Sequence, residues 1–394
     1  MDGKKTTSNI ILTLSAASFV GNIPRYSIAP LVPDITDSFG VTTPQLGLAL
    51  TGMYFGFAGV QFIGGILSDV LGEKLTILFS SALISVGSAV MFASGSFYIF
   101  FVGVVQLGAG TGMLLISSQI YVSQAFDETG GKIGLITTGT SISGLAVPIV
   151  AVEVNNTYDW RAMMVISIGL SIPIIIGIYT QVASTSYDAS TERPHGVRAG
   201  FDSVVDRQVL TLILLASLLY FSIQTMGSFF PTMLLNINGD ITQQTAGAAL
   251  SIFFLLVAVG NPLFGRVSEY IGRTPVLYSC LGISAVGFGV IAVSENRLAI
   301  YAGTLLLGVG FGWNSTLASK LMELFSESKR GTGYGATNTV ANVLGSSGSA
   351  VSSFFASQYS WQGTAALLMC IMLIAVTVLT VDSTTMANPR ADVK

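Results

Sequence analysis

Arg25 is the residue whose type and position most constrain the chemistry of this chain. It follows Pro24 inside an apolar run that begins near Ile10, and an arginine at mid-bilayer costs about 2.5–3.5 kcal/mol on insertion scales. Its guanidinium therefore needs water or a partner. A guanidinium fixed in a cavity binds a carboxylate or a similar anion through two parallel hydrogen bonds. The alternatives are that Arg25 extends towards the membrane surface, or that it pairs with Glu153 or Asp34.

Other groups that carry out chemistry are sparse. The only histidine, His195, lies in a polar stretch, and Cys280 and Cys370 lie in apolar runs. One histidine does not build a His-based metal site, and two thiols in apolar runs do not form a disulfide framework. The glycine-rich stretch 108–112 lies inside an apolar run with no strand before it, so it predicts close helix packing rather than a nucleotide-binding loop. We therefore expect no metal, no cofactor and no enzymatic activity.

The elements that must position Arg25 are membrane helices. Of the 394 residues, 51% are hydrophobic and only 9% are charged, whereas soluble domains carry roughly 25% charged residues. The net charge of −3 and the lack of a basic stripe give no reason to expect a nucleic-acid partner. A bilayer core requires about 20 apolar residues per helix. Runs of that length predict an all-α membrane protein with transmembrane segments 1 to 12 near 10–32, 45–67, 76–95, 98–121, 133–154, 161–182, 208–230, 245–265, 275–294, 298–321, 333–356 and 362–381.

A polar stretch at 184–206 divides these segments into two sets of six. We predict an N-terminal bundle over 1–183, a cytoplasmic linker over 184–206 and a C-terminal bundle over 207–394. Lysine and arginine favour the cytoplasmic side. With both termini in the cytoplasm, only Arg161 and Arg297 of the 17 basic residues fall outside, and Arg25 falls within segment 1. We expect a multi-pass protein of the cell membrane that acts as a monomer in the lipid bilayer.

The two sets repeat at an offset of 200 residues. Eight of the fourteen glycines between positions 40 and 112 have a glycine 200 residues later, where chance gives about one or two, so the repeat is internal. A parallel repeat predicts two pseudo-symmetric six-helix bundles. The matched pairs are Gly47/Gly247, Gly65/Gly265, Gly72/Gly272, Gly87/Gly287, Gly103/Gly303, Gly108/Gly308, Gly110/Gly310 and Gly112/Gly312.

The strongest local motif lies in two equivalent loops. Segments 2 and 3 are joined by Gly65-Ile66-Leu67-Ser68-Asp69-Val70-Leu71-Gly72-Glu73-Lys74, and segments 8 and 9 by Gly265-Arg266-Val267-Ser268-Glu269-Tyr270-Ile271-Gly272-Arg273-Thr274. Each copy has a glycine, an acid four residues later, a glycine three residues further and a base beyond. With these loops and its twelve segments, the chain resembles the major facilitator superfamily. It departs from the family pattern at Val70 and Glu73, where basic residues are usual, and at Glu269, where aspartate is more usual.

The resemblance implies that the two loops control the conformational change. A carboxylate is stabilised near the N-terminus of a neighbouring helix, and the family pattern implies that Asp69 meets the cytoplasmic end of segment 11, near Gly331 and Gly333. The simpler interpretation is a tight turn with positive-inside charges. The predicted gating residues are Gly65, Asp69, Gly72, Lys74, Gly265, Glu269, Gly272 and Arg273.

The family plan also implies a central cavity lined by segments 1, 4, 7 and 10. Polar or aromatic residues near mid-membrane then become candidate ligands, although each alone more commonly makes a hydrogen bond between helices. Gln224 nearly matches Arg25 across the repeat and suggests a clamp across the cavity. The predicted substrate-binding residues are Arg25, Tyr54, Tyr220, Gln224, Trp313, Asn314, Asn338 and Asn342.

These features predict a secondary transporter that moves a small solute by alternating access, and they favour an organic anion as the solute. Export of lipophilic compounds is the second hypothesis, because the cores of segments 1, 4, 7 and 10 contain no acidic residue. A channel fits less well, since no segment carries a continuous polar stripe. Only Glu153, near the outer end of segment 5, offers a membrane carboxylate for proton coupling, so the coupling ion and the direction of transport stay open.

Overall fold

The computed structural model describes residues 2–126, 129–182, 207–326 and 330–387, and within these ranges every regular element is a helix. The first half contains seven α-helices and a short 3₁₀ turn, Ala29–Leu31, between the first two. They are α1 (Asp2–Ile28), α2 (Val32–Phe39), α3 (Thr43–Leu71), α4 (Glu73–Phe92), α5 (Phe97–Ala125), α6 (Thr129–Thr157) and α7 (Ala162–Gln181).

The second half contains eight described α-helices. They are α8 (Arg207–Ile237), α9 (Gln243–Ile271), α10 (Arg273–Val293), α11 (Arg297–Gly310), α12 (Asn314–Glu323), α13 (Arg330–Gly345), α14 (Gly348–Gln358) and α15 (Trp361–Ala387). The predicted linker 184–206, with His195, lies outside the described residues.

Nine helices in the described part of the chain are long and apolar enough to cross a membrane. They correspond to predicted segments 2 to 9 and 12, which confirms those segments. A helix is the expected form for each of them, because a lipid-exposed backbone must satisfy its hydrogen bonds within its own segment. Predicted segment 1 corresponds to α1, the 3₁₀ turn and α2 together.

Predicted segments 10 and 11 each consist of two helices. Segment 10 is interrupted between α11 and α12, and segment 11 between α13 and α14. At the first break, the amide of Asn314 donates to the side-chain oxygen of Asn261 at 3.0 Å instead of to its own helix. At the second, Ser346 turns its hydroxyl back to the carbonyl of Val343 at 2.6 Å. At the first break, a tertiary partner thus satisfies a backbone group that an unbroken helix would pair internally, whereas the bond at the second break is local.

The chain forms two compact units. One comprises Met1–Thr191 with Gly227–Thr232 and Gln243–Ser251, and the other comprises Glu192–Met226, Met233–Thr242 and Ile252–Lys394. Short stretches of α8 and of the start of α9 therefore belong with the first unit.

The duplicated glycines make equivalent close contacts in the two units. A Cβ added to Gly103 would lie 3.0 Å from the Gly87 carbonyl oxygen, and a Cβ added to Gly303 would lie 3.1 Å from that of Gly287. These pairs pack α4 against α5 and α10 against α11. Small residues let membrane helices approach this closely, so the 200-residue glycine register produces the same helix packing twice.

In the first unit the glycines of α5 set the position of α3. A Cβ on Gly108 would collide with the carbonyl oxygen of Met53, and one on Gly112 with that of Phe57. The predicted role of this glycine run in helix packing is therefore confirmed. Because Tyr54 and Phe57 lie on the same stretch of α3, the contact also fixes two aromatic side chains next to α1.

Candidate functional site

Arg25 lies in the last turn of α1 and faces three aromatic rings. Its guanidinium carbon is 5.6 Å from the ring centroid of Tyr26, 5.0 Å from that of Tyr54 and 4.9 Å from that of Phe57. Cations are attracted to aromatic faces at such distances, by about 0.5–1 kcal/mol when exposed and about 2 kcal/mol or more when desolvated. We call Arg25, Tyr26, Tyr54 and Phe57 the arginine cluster.

Neither of the carboxylates predicted as partners of Arg25, those of Asp34 and Glu153, neutralises its charge. Among the described residues, Arg25 makes no ion pair, and its Nε is buried without a hydrogen-bond partner. Asp34 is instead held by two amides: Asn155 donates to it at 2.9 Å and Gln243 at 2.6 Å. Glu153 is exposed. The pairing alternatives for Arg25 are therefore absent from this structure.

In the second unit, α8, α13 and the turn between α11 and α12 bring three predicted site residues together. The Tyr220 hydroxyl donates to Asn338 Oδ1 at 2.6 Å, and the Tyr220 ring lies edge-on to Trp313, with centroids 5.7 Å apart. Asn342, one turn further along α13, donates to the Asn338 carbonyl at 3.1 Å. Gln224 lies one turn after Tyr220 on α8, and residues four apart share a helix face. We call Tyr220, Gln224, Trp313, Asn338 and Asn342 the polar cluster.

Both helix breaks border this polar cluster. Trp313 is in the turn between α11 and α12. Beside the other break, a Cβ on Gly345 would lie 2.5 Å from Tyr220 Cβ, and one on Gly348 would meet the Phe221 carbonyl. Interrupted membrane helices mark binding sites in many transporters, because their irregular backbone is tolerated only beside protein or a water-filled cavity. The breaks are a signal that sequence reasoning missed.

Two further sequence predictions concern Asn314 and the pair of Arg25 and Gln224. Asn314 is exposed, and its backbone rather than its side chain makes the contact with Asn261. Tyr220 and Asn338 make the hydrogen bond between helices that was the simpler expectation for each. The predicted clamp of Arg25 with Gln224 stays a prediction, because the two side chains belong to different units.

The two signature loops turn at equivalent glycines. Gly72 has φ +82° and Gly272 has φ +93°, a region that residues with a Cβ rarely adopt. In the second copy, Arg273 donates to Ser268 Oγ at 2.6 Å and to Glu323 at 3.0 Å, which ties the loop to the end of α12.

In the first copy the corresponding charges are arranged differently. Glu73 takes the place of Arg273 in the repeat and is buried, and Lys74 Nζ lies 5.1 Å from the ring centroid of Tyr179 on α7. Asp69 and Glu269 are both exposed, as expected for ends of helices at a surface. The contact of Asp69 with segment 11 stays a prediction, as does the gating role of both loops.

One buried ion pair escaped the sequence analysis. Lys320 Nζ on α12 lies 2.9 Å from Asp382 Oδ2 on α15 and also donates to Thr274 Oγ1 at the start of α10, at 3.0 Å. Their side chains are only 9% and 0% exposed. Each charge lies near the end of a predicted segment, where a charge is usual, so no sequence pattern indicated that the two meet.

Comparison with known proteins agrees with this architecture. The family model described as Major Facilitator Superfamily matches residues 14–239 and 212–393. A hexuronate transporter of Bacillus subtilis (strain 168) is 23% identical over 379 residues, covering 89% of this chain and 88% of the relative. The multidrug resistance protein MdtL of Klebsiella pneumoniae (strain 342) is 22% identical over 291 residues, covering 71% of this chain and 73% of the relative.

A solved structure shows the same fold. The nucleoside transporter NupG superposes with a TM-score of 0.81 at 14% identity, covering 95% of this chain and 99% of that one. Together with the duplicated loops, the repeated glycine packing and the helices suited to a membrane, the family match over nearly the whole chain establishes that this protein belongs to the major facilitator superfamily.

Proposed function

We propose that this chain is a secondary transporter that moves a small organic anion across the cell membrane by alternating access, with Arg25 as the anion receptor. The observation that carries the proposal is the arginine cluster. A permanently charged guanidinium lies within 5.6 Å of three ring centroids, with Nε buried and unpartnered and no carboxylate paired to it among the described residues.

Electrostatics favours an anionic ligand at this position. Contact with aromatic faces stabilises a desolvated cation by about 2 kcal/mol or more. This is less than the desolvation penalty, which is several kcal/mol for each ion. An incoming carboxylate would supply the missing charge and accept two N–H groups of the guanidinium. The hexuronate transporter named above is a relative whose substrate class carries such a carboxylate.

Export of lipophilic compounds is the second candidate. It is favoured by the aromatic character of the arginine cluster and by the similarity to a multidrug resistance protein. It leaves the charge of Arg25 without a function, and for this reason we place it second.

Binding of anions to purified protein tests the proposal. We expect isothermal titration to detect glucuronate or another small carboxylate with the wild type. Arg25→Ala should weaken that binding at least about tenfold, because it removes a charge-assisted contact of about 1.5–3 kcal/mol. Arg25→Lys should retain part of the affinity, since it keeps the charge and loses the planar fork.

A matched variant controls for loss of positive charge alone. Arg297 is exposed at the start of α11, so Arg297→Ala should bind carboxylates as the wild type does. If Arg25→Ala binds carboxylates as well as wild type, or if neutral and cationic compounds are the only ligands found, the anion assignment is wrong and lipophilic export becomes the better hypothesis.

A further inference from the structure

Only one edge of the Arg25 guanidinium is available to a ligand. Its Nε is enclosed by protein without a hydrogen-bond partner, whereas its two Nη atoms, which also make no hydrogen bond within the described part of the chain, are not enclosed. A guanidinium binds a carboxylate in the plane of its N–H groups, either along the side that contains Nε or at the end formed by the two Nη atoms. Because Nε is buried, the Nη end is the edge that a ligand can reach.

Three aromatic rings lie against the same guanidinium. Its central carbon is 5.6, 5.0 and 4.9 Å from the ring centroids of Tyr26, Tyr54 and Phe57. The face of an aromatic ring carries the negative part of its quadrupole, so it attracts a cation and repels an anion. The surroundings of Arg25 therefore accept the one negative charge that the guanidinium binds directly and disfavour a second negative charge beside it.

Arg25 also differs from the other basic residues in its depth along a membrane segment. It lies well inside predicted segment 1, which spans 10–32, whereas every other basic residue whose side chain the structure describes lies at an end of a predicted segment or just outside one. These residues are Lys74, Lys132, Arg161, Arg207, Arg266, Arg273, Arg297 and Lys320. A second carboxylate at the depth of Arg25 would therefore leave water without a counter-charge, which is unfavourable.

We infer that the arginine cluster selects monoanions, so that the transported solute carries a single carboxylate and dicarboxylates bind poorly. The inference rests on the proposed function, because it assumes that Arg25 binds the carboxylate. The Nη end of Arg25 binds the two oxygens of one carboxylate, and the ring faces of Tyr54 and Phe57 disfavour a further anionic group.

Two matched pairs of acids test this selectivity at neutral pH, where all their carboxyl groups are ionised. Gluconate and glucarate share a six-carbon chain, and glucarate has a second carboxylate in place of the terminal hydroxymethyl group. Adipate and monomethyl adipate also share a chain, and the ester removes one of the two charges. We expect isothermal titration to show that the wild type binds the monoanion of each pair at least about tenfold more tightly, a ratio that corresponds to about 1.4 kcal/mol.

A second positive charge in the arginine cluster should remove the preference. Phe57 is half-buried and its ring lies against Arg25. Phe57→Lys adds an ammonium group there, and Phe57→Met is the matched control, because it removes the same ring and leaves an uncharged chain of similar length. We expect the affinity for adipate relative to monomethyl adipate to be at least about tenfold higher in Phe57→Lys than in Phe57→Met, since opposite charges attract. Tyr54→Lys and Tyr54→Met replace this pair if the Phe57 variants do not fold.

The outcomes separate the inference from the proposed function. If a dianion binds as tightly as its monoanion in either pair and both depend on Arg25, the selectivity is refuted and the anion receptor stands. If no acid binds in an Arg25-dependent way, the proposed function fails and the selectivity fails with it. An equal preference for the monoanion in the lysine and methionine variants would place the selectivity outside the arginine cluster and would also overturn the inference.

Discussion

Replacing Lys320 alone should destabilise the protein far more than replacing both members of its ion pair. The Nζ–Oδ2 distance to Asp382 is 2.9 Å, and the two side chains are 9% and 0% exposed. Lys320→Met would leave Asp382 buried without its cation, and Oδ1 of Asp382 already lacks a hydrogen-bond partner among the described residues. The double variant Lys320→Met, Asp382→Leu would place two apolar side chains of similar size at the same contact.

The expected magnitudes follow from the geometry. At 2.9 Å, and with an effective dielectric constant of about 20, the attraction is roughly 6 kcal/mol. Desolvation of two buried ions costs several kcal/mol each, so the pair as a whole contributes little net stability. Loss of one partner should therefore cost about 3–5 kcal/mol, whereas the double variant should be within about 1 kcal/mol of wild type or more stable.

A double-mutant cycle measures this difference. The four proteins, wild type, Lys320→Met, Asp382→Leu and the double variant, would be unfolded by SDS in mixed micelles and followed by tryptophan fluorescence. Since each single variant should lose about 3–5 kcal/mol and the double variant at most about 1 kcal/mol, we expect a coupling free energy of about 5 kcal/mol or more. The partly exposed pair of Arg273 and Glu323 serves as the control, because its side chains are 21% and 56% exposed and Glu323→Gln should cost less than about 1 kcal/mol. A double variant as unstable as Lys320→Met would refute the argument.

Two further predictions concern helix packing and the first signature loop. Gly108→Ala should destabilise the first unit by about 1–3 kcal/mol and weaken anion binding, because the new methyl group meets the Met53 carbonyl. Gly59→Ala is the neutral control, because a Cβ added there has nothing within 4 Å. Equal unfolding midpoints for the two variants would contradict the packing argument. Asp69→Asn should slow transport in proteoliposomes without preventing folding, since a charge at a helix end contributes about 0.3–2 kcal/mol to a conformational equilibrium. An unchanged transport rate would mean that the loop is only a turn.

The sequence by itself determined the twelve-segment plan and most of its spans. Segments 2 to 9 and 12 were predictable, because a bilayer dictates the length of an apolar helix and leaves few alternatives for its backbone. The tight turns at Gly72 and Gly272 were also predictable from the repeated loop. The energetic cost of burying Arg25 was also predictable, because the sequence places a single arginine within an apolar run.

The break in segment 10 was decided only by tertiary structure. The stretch around Gly312 and the pair Ser346-Ser347 resemble ordinary helix interiors in sequence. An unbroken helix would keep the Asn314 amide inside its own ladder, and the alternative exists only because Asn261 on α9 reaches that amide. Sequence reasoning could not see this partner, which lies 53 residues away.

Tertiary structure also decided which partner each buried charge has. The sequence offered Asp34 and Glu153 to Arg25, but the fold supplies Tyr54 and Phe57 instead, because the glycines of α5 hold α3 in place. Lys320 and Asp382 meet because α12 and α15 both pack against α10, although each charge alone resembled one at a membrane surface. The apolar pattern of a chain determines where its helices lie along the sequence, whereas the partner of a buried charge depends on distances between helices, which no single segment contains.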